Sequence, residues 1–255
     1  MEVYTSQFIV FILMLARIAS MIAVAPIFGH QAIPGQAKIA LSIFLAYVLF
    51  PMQAAAAVKV DMKIIGMIVM VLQEICVGLL IGFAVDLLFA GVQFGGDLIG
   101  FDMGFSMATV YDPETNATIP VVAEVLYTFM ALVFISLNGH HFMLQALQLS
   151  YSAVPIGGFT IDAALSAKII SLSGMVFVIA VKFAAPVLVS MFLTNVALGI
   201  ITRVVPQMNV FGVAFPLKIG VGIVVLMTSA PIMVFVFKKL LLVFETNIIE
   251  LVRAM

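Results

Sequence analysis

The chain has 255 residues, 65% hydrophobic and 9% charged, and a mean hydropathy of +1.31. A soluble domain is nearer about 50% apolar and about 25% charged, so an ordinary soluble enzyme and a disordered segment are both excluded. What remains is a membrane protein, or a subunit buried in a large apolar assembly. Eleven Lys and Arg against twelve Asp and Glu leave a net charge of −1. With no basic run, nucleic-acid binding has no electrostatic footprint.

The first apolar stretch covers residues 8–28. Its early charge is Glu2, no basic cluster precedes it, and Arg17 interrupts it, so it reads as a permanent segment and not a cleaved signal peptide. Further stretches follow at 39–51, 64–94, 121–137, 142–154, 169–201 and 213–244. About 20 residues cross a hydrocarbon core, and a six-span arrangement is predicted. The longest stretches have room to tilt, kink or leave the bilayer. Pro186 and Pro231 are predicted kinks.

On six spans, Lys59, Lys63, Lys168, Lys238, Lys239 and Arg253 fall on one side, and Lys38, Arg203 and Lys218 on the other. The bias favours cytoplasmic termini modestly. Trp is absent and Tyr numbers 5, so the interfacial aromatic belt is thin. Both weak signals fit a chain that faces protein more than lipid.

Arg17, Glu74, Asp86, Glu124 and Lys182 lie inside apolar stretches. At a lipid-facing helix centre each costs roughly 2.5–3.5 kcal/mol on insertion scales. They are expected to face partners, a cavity or water. Charge pairing within a helix bundle and ion or proton translocation both fit. Cys76, the one cysteine, excludes an internal disulfide and reads as a small buried hydrophobe.

Glycines recur at four-residue steps: Gly78 and Gly82, Gly91 and Gly95, then Gly96, Gly100 and Gly104. Such spacing lets another backbone approach closely. Gly78, Gly82, Gly91, Gly95, Gly96 and Gly100 are the predicted helix-packing interface, within the chain or with neighbouring subunits.

The glycines lead into Phe101, Asp102, Met103, Gly104, Phe105, Ser106, Met107, Ala108, Thr109, Val110, Tyr111, Asp112 and Pro113. Asp112-Pro113 and Pro120 disfavour a continuous helix, and a connection from Gly95 to Pro120 is long for a bundle. Its Phe, Met and Gly content suits repacking. An exposed connector and a movable plug both fit.

Asn138-Gly139 reads as a turn, His140 as a polar group satisfying local backbone, and His30 as an exposed loop residue. There is no His-Glu-x-x-His and no Gly-x-Ser-x-Gly. Gly95-Gly96-Asp97 is an incomplete aspartyl-protease pattern. Catalytic, cofactor-binding and metal sites are therefore not predicted.

Several patches together carry a family resemblance. They are Arg17, Ala25-Pro26-Ile27-Phe28-Gly29, Ile33-Pro34, Lys38, Gln73-Glu74-Ile75 and the run 77–83. Met103-Gly104-Phe105-Ser106-Met107-Ala108, Asp112-Pro113, Phe134, Asn138-Gly139-His140 and Pro155-Ile156-Gly157 continue the series. Leu198-Gly199-Ile200, Arg203, the run 206–211 and Phe215-Pro216-Leu217 complete it. In order and spacing the sequence resembles the FliR family, the R subunit of the flagellar type III export gate, related to the T subunit of injectisomes.

The resemblance implies an all-α, polytopic, membrane-associated fold of long kinked helices and helical hairpins within a hetero-oligomeric helical assembly. The whole chain, 1–255, would be one gate subunit, with a P-like N-terminal part and a Q-like C-terminal part. It implies a non-enzymatic role in the bacterial inner membrane at the flagellar basal body, with part of the assembly raised to periplasmic level. One R subunit would join five P-type and four Q-type subunits and a B-type switch protein, among membrane lipid, to pass unfolded flagellar export substrates. The loop 101–119 would be the pore plug, carried by Met103, Gly104, Phe105, Ser106, Met107, Ala108, Val110, Tyr111, Asp112 and Pro113. Family aromatics at the positions matching Met107 and Val110 are replaced here, leaving Phe105 and Tyr111 as the nearby bulk. The competing expectation is a stand-alone transporter or ion channel using Glu74, Asp86 and Lys182.

Overall fold

The computed structural model describes residues 2–53, 64–105, 110–111, 118–207 and 210–255. It is helical: α1 (Glu2–Val24), α2 (Gly35–Gln53), α3 (Ile64–Met103), α4 (Val121–Ser136), α5 (Gly139–Ala153), α6 (Ala163–Val204) and α7 (Val210–Arg253). Among the described residues the one departure is a two-residue antiparallel pair, β1 (Val110–Tyr111) and β2 (Thr118–Ile119). In it Val110 is opposite Ile119 and Tyr111 opposite Thr118. The predicted all-α polytopic class holds.

Among the described residues, four helices are long and apolar enough to cross a membrane, or five if α4 and α5 form one broken span. The six-span expectation fails on length. The apolar part of α2 covers only Gly35–Pro51, and α4 has 16 residues, short of the ~20 a hydrocarbon core needs. Pro186 and Pro231 lie inside the helices α6 and α7.

Helix ends follow local chemistry. Asp162 caps α6 by accepting the Leu165 N–H at 2.8 Å. Asn138 takes a left-handed conformation, φ 60°, between α4 and α5, which Asn tolerates better than most residues. The Asn138-Gly139 turn is therefore where the sequence places it. In the α1–α2 loop Ile27 also has positive φ, 71°, a strained setting for a β-branched residue. Lys38 donates to the Gly29 carbonyl at 2.7 Å and ties that loop to α2.

The chain divides into two compact units, neither one continuous stretch. The first comprises 1–87, 138–173 and 242–255. It contains α1, α2, α5 and parts of α3, α6 and α7. Its core includes Leu13, Met14, Ile18, Val77, Ile81 and Leu147. The ends of α6 and α7 in this unit are joined by Lys168, which donates to Asn247 Oδ1 at 2.7 Å and to Glu250.

The second unit comprises 88–137 and 174–241. It contains α4 with the remaining parts of α3, α6 and α7. Its core is aromatic: Phe89 meets Tyr127, Phe134 and Phe237 edge-on, at 5.4, 5.4 and 5.9 Å between ring centroids. Edge-to-face contacts of this kind suit the ring quadrupoles. Met130, Phe183, Val187 and Met191 are fully buried in the same unit.

Candidate functional site

Three predicted features bear on function: the charges in apolar helices, the glycine stripe, and the segment after α3. The charges separate by position on their helices. Arg17 on α1 and Glu74 on α3 are fully buried in the first unit. Arg17 Nε donates to Glu74 Oε2 at 2.6 Å, and Nη2 to Oε1 at 3.1 Å. Two parallel N–H···O bonds match the guanidinium fork to the carboxylate.

The remaining valences of the pair are met by α5 and the turn after it. Arg17 Nη1 donates to Ser150 Oγ and Nη2 to the Val154 carbonyl, both at 3.1 Å. The Tyr151 ring lies 4.5 Å beneath the guanidinium, a cation–π contact, and its hydroxyl donates to the Met14 carbonyl at 3.2 Å. Glu74 Oε1 also accepts the Gly157 N–H at 3.0 Å. That donor is aimed by a tight turn, closed by Gly158 N–H to the Pro155 carbonyl at 2.9 Å. Gly157 sits at φ +76°, the left-handed position such a turn demands of its third residue. Three patches distant in sequence thus meet at one buried ion pair.

Sequence reasoning singled out Arg17, Glu74 and Gly157 but missed Ser150 and Tyr151. The available signal was the polar cluster Gln148, Ser150, Tyr151 and Ser152 near the end of α5.

The other three charges behave differently. Asp86 is half-buried, and Glu124 and Lys182 are exposed on the chain. This chain alone does not cover Glu124 and Lys182. Glu124 stands in the first turn of α4, where the helix dipole favours an acid without burial. Lys182 lies on the outward face of α6, beside the buried Phe183 and Ala184. Cys76 is also exposed, contrary to expectation. Glu74 and Gly78 share the side of α3 that meets α1, and at ~100° per residue Cys76 is turned to the opposite side.

The glycines are used within the chain. A Cβ on Gly78 would collide with the Arg17 carbonyl and Ser20 Oγ, and one on Gly82 would come within 2.7 Å of the Met21 carbonyl. Gly91 and Gly95 meet Ile179 and Ala180 of α6, while Gly96 and Gly100 meet Ala123 and Val122 of α4. Gly91 to Gly96 is five residues, or ~140° around a helix, so this part of α3 packs against two neighbours on two sides. The stripe is a set of helix crossings inside the chain, and the glycines are occupied by its own helices.

The first residues of the predicted plug segment, 101–103, are the last residues of α3. Met103 is fully buried and its side chain fills the space where Gly222 of α7 lacks one. Gly104, at φ +86°, ends α3 by donating to the Phe101 carbonyl at 3.1 Å. A left-handed glycine is the usual stop for a helix. A Cβ at Gly104 would also come within 2.9 Å of the Phe215 ring. Ser106, Met107, Ala108, Thr109, Asp112 and Pro113 lie outside the described residues, and of Val110 and Tyr111 the backbone pairing is described. An apolar groove of about 390 Å³ opens beside this base, lined among others by Met103, Phe105, Val122, Leu126, Ile223 and Met227.

His30 is exposed, as expected, and its Nδ1 accepts the Ala32 N–H at 3.1 Å. His140 departs from expectation: its Nδ1 is buried with no hydrogen-bond partner. Its ring lies 4.2 Å from that of His141, tilted by 40°, in the first turn of α5, and bonds no local backbone through that atom. Among the described residues, no three His, Cys, Asp or Glu side chains gather as a metal site.

Comparison with known proteins gives one consistent answer. A family model described as "Bacterial export proteins, family 1" matches residues 8–243. The chain is similar to "Flagellar biosynthetic protein FliR" of Bacillus subtilis (strain 168), 35% identical over 252 residues and covering 95% of both chains. The protein of the same description from Escherichia coli (strain K12) is 28% identical over 218 residues, 86% of this chain and 83% of that one. The one from Pectobacterium carotovorum subsp. carotovorum is 30% identical over 216 residues, 85% and 82%.

Proposed function

The chain belongs to family 1 of the bacterial export proteins, and from that premise we propose that it is the R-type subunit of a flagellar type III export gate. The observation that carries this reading is the match to export proteins over 8–243 together with 35% identity to a flagellar biosynthetic protein along nearly its whole length. On this reading one copy joins five P-type and four Q-type subunits, with a B-type switch protein on the cytoplasmic side. Unfolded flagellar proteins pass through the conduit so formed. The role is structural and gating, not enzymatic. The first part of the chain is P-like and the second Q-like. The complex sits in the inner membrane at the basal body, part of it raised toward the periplasm.

Two physical features support an assembly role. Large apolar side chains are exposed along most of the long helices, among them Phe44, Tyr47, Ile65, Phe177, Phe192 and Met227. A surface this apolar needs lipid or partner subunits to cover it. In addition, α6 and α7 have 42 and 44 residues, about 63 and 66 Å at 1.5 Å per residue, twice a hydrocarbon core of ~30 Å. Such helices serve a structure that extends beyond the bilayer.

The loop 101–119 is the pore plug in this reading, with one revision. Met103 is the anchored end of α3, and the moving part starts at the Gly104 hinge. A closed gate must hold back ions and still pass a polypeptide. A segment hinged on glycine and rich in Met and Phe meets both demands, because Gly permits large backbone change and Met repacks without strict geometry.

The stand-alone relay has less support. Both oxygens of Glu74 are taken by Arg17 and Gly157, and Lys182 belongs to the other compact unit. The test is co-expression with the neighbouring membrane genes, mild-detergent purification and native mass spectrometry. One copy of this chain bound to several copies of two small hydrophobic subunits is expected. A monomer or homo-oligomer would overturn the assembly reading.

A further inference from the structure

We propose that Gly222 and Phe215 of α7 form a seat that positions the base of the plug, so that gate tightness is set by α7 as well as by the plug itself. This role rests on the plug reading of the segment after α3 and concerns what holds its base. The residues involved all belong to the second unit. The segment has two roots, the end of α3 and the start of α4. They are tied to each other, because Gly96 and Gly100 of α3 meet Ala123 and Val122 of α4. That crossing fixes one root against the other. It leaves open where the joined roots stand on the rest of the unit.

Two contacts with α7 supply that position. A Cβ on Gly222 would collide with Met103 Cε and come within 2.7 Å of its Cγ and Sδ, so the Met103 side chain occupies space that only a glycine leaves. The next residue, Gly104, lies against the Phe215 ring, which a Cβ there would approach to 2.9 Å. Phe215 and Gly222 are seven residues apart, about 20° short of two full turns, and so share one face of α7. Both contacts fall on the last residue of α3 and on the left-handed glycine, φ +86°, that stops it. The point from which the chain leaves α3 is therefore set where α7 holds it. Glycine inside a helix is unfavourable relative to alanine, and at 222 it makes room for Met103. Gly220, two residues away on the same helix, meets nothing within 4 Å. An apolar groove of about 390 Å³ opens beside Met103, and Met repacks readily. A methyl at 222 is thus expected to expel the side chain toward the groove and shift the base, at little cost in stability.

The test uses the full complex, purified with its partner subunits, checked for composition by native mass spectrometry and reconstituted in liposomes for measurement of ion leak. Gly222→Ala should make the displaced base about tenfold more populated and raise the leak in step, with thermal unfolding close to that of the parent. Met103→Ala adds no atom and empties the seat, and it should leak as well. Joining the two gives the new methyl the room that Met103 vacates, and should bring the leak well below that of Gly222→Ala alone. Gly220→Ala should stay ion-tight. An ion-tight Gly222→Ala complex of normal composition overturns the proposal, as does an equal leak from Gly220→Ala or a double variant as leaky as Gly222→Ala. If Gly222→Ala does not assemble, Met103→Ala decides, and an ion-tight Met103→Ala complex overturns the seat. A complex with residues 106–117 replaced by a Gly-Ser linker separates the two readings. If it leaks while Gly222→Ala does not, the seat fails alone. If it is ion-tight, the plug reading fails and the seat fails with it.

Discussion

The two compact units are held together by opposite kinds of chemistry. In the first, the buried polar groups Arg17, Ser20, Ser42, Glu74 and Ser150 sit among apolar helices, and Arg17 and Glu74 bond to α5 and to the Pro155–Gly158 turn. In the second, the one buried polar side chain among the described residues is Ser229, and the core is Phe, Met and aliphatic side chains. A buried bidentate pair admits one arrangement, because any slip leaves a charge unsatisfied. Apolar packing around Met tolerates change. The unit that carries the base of the proposed plug is the one built to repack.

The largest expected effect tests the rigid half. Glu74→Gln leaves the Arg17 charge buried without its counter-ion and should cost about 3–5 kcal/mol. The readout is thermal unfolding of the detergent-solubilised protein, with chain accumulation in membranes beside it. The double variant Arg17→Met with Glu74→Leu should recover most of that loss, since replacing both partners by apolar groups is often near neutral. A Glu74→Gln protein as stable as the parent would remove the basis of the comparison.

The glycine crossings come next and should act in both units. Gly96→Ala puts a Cβ 2.5 Å from the Ala123 Cα, a backbone neighbour that cannot step aside. Overpacking of this kind costs about 1–3 kcal/mol. Gly100→Ala, whose nearest contact is 3.5 Å, should be close to neutral. Equal melting temperatures for the two would contradict the assigned crossings. The smallest effect has the opposite sign. Gly174 has open space around it inside α6, and Gly174→Ala should stabilise by about 0.5–1 kcal/mol through helix propensity alone.

Much of this was legible in the sequence. Helix existence followed from apolar run length, and the Asn138 turn from its residue type. Four-residue glycine steps announced close crossings. Facing was not legible. In a chain this apolar a helix is hydrophobic all round, so periodicity carries no sign of which side is buried. That is why Cys76 was expected inside and is exposed. Span count failed for a related reason, since apolar stretches record composition and not where α2 and α4 stop. The Arg17–Glu74 pairing joins residues 57 apart, and local pattern does not record which distant charge a buried charge will meet. Glycine at 104 was read as part of the stripe. Its positive φ makes it the end of α3.

The most direct test of the gating account is ion leak through the assembled complex when residues 106–117 are replaced by a short Gly-Ser linker. Met103, Gly104 and Phe105 stay in place, so the α3 anchor against Gly222 and Phe215 is kept. The account predicts a complex of normal composition by native mass spectrometry that conducts ions across the membrane where the parent complex does not. A complex of normal composition that remains ion-tight would contradict the plug role.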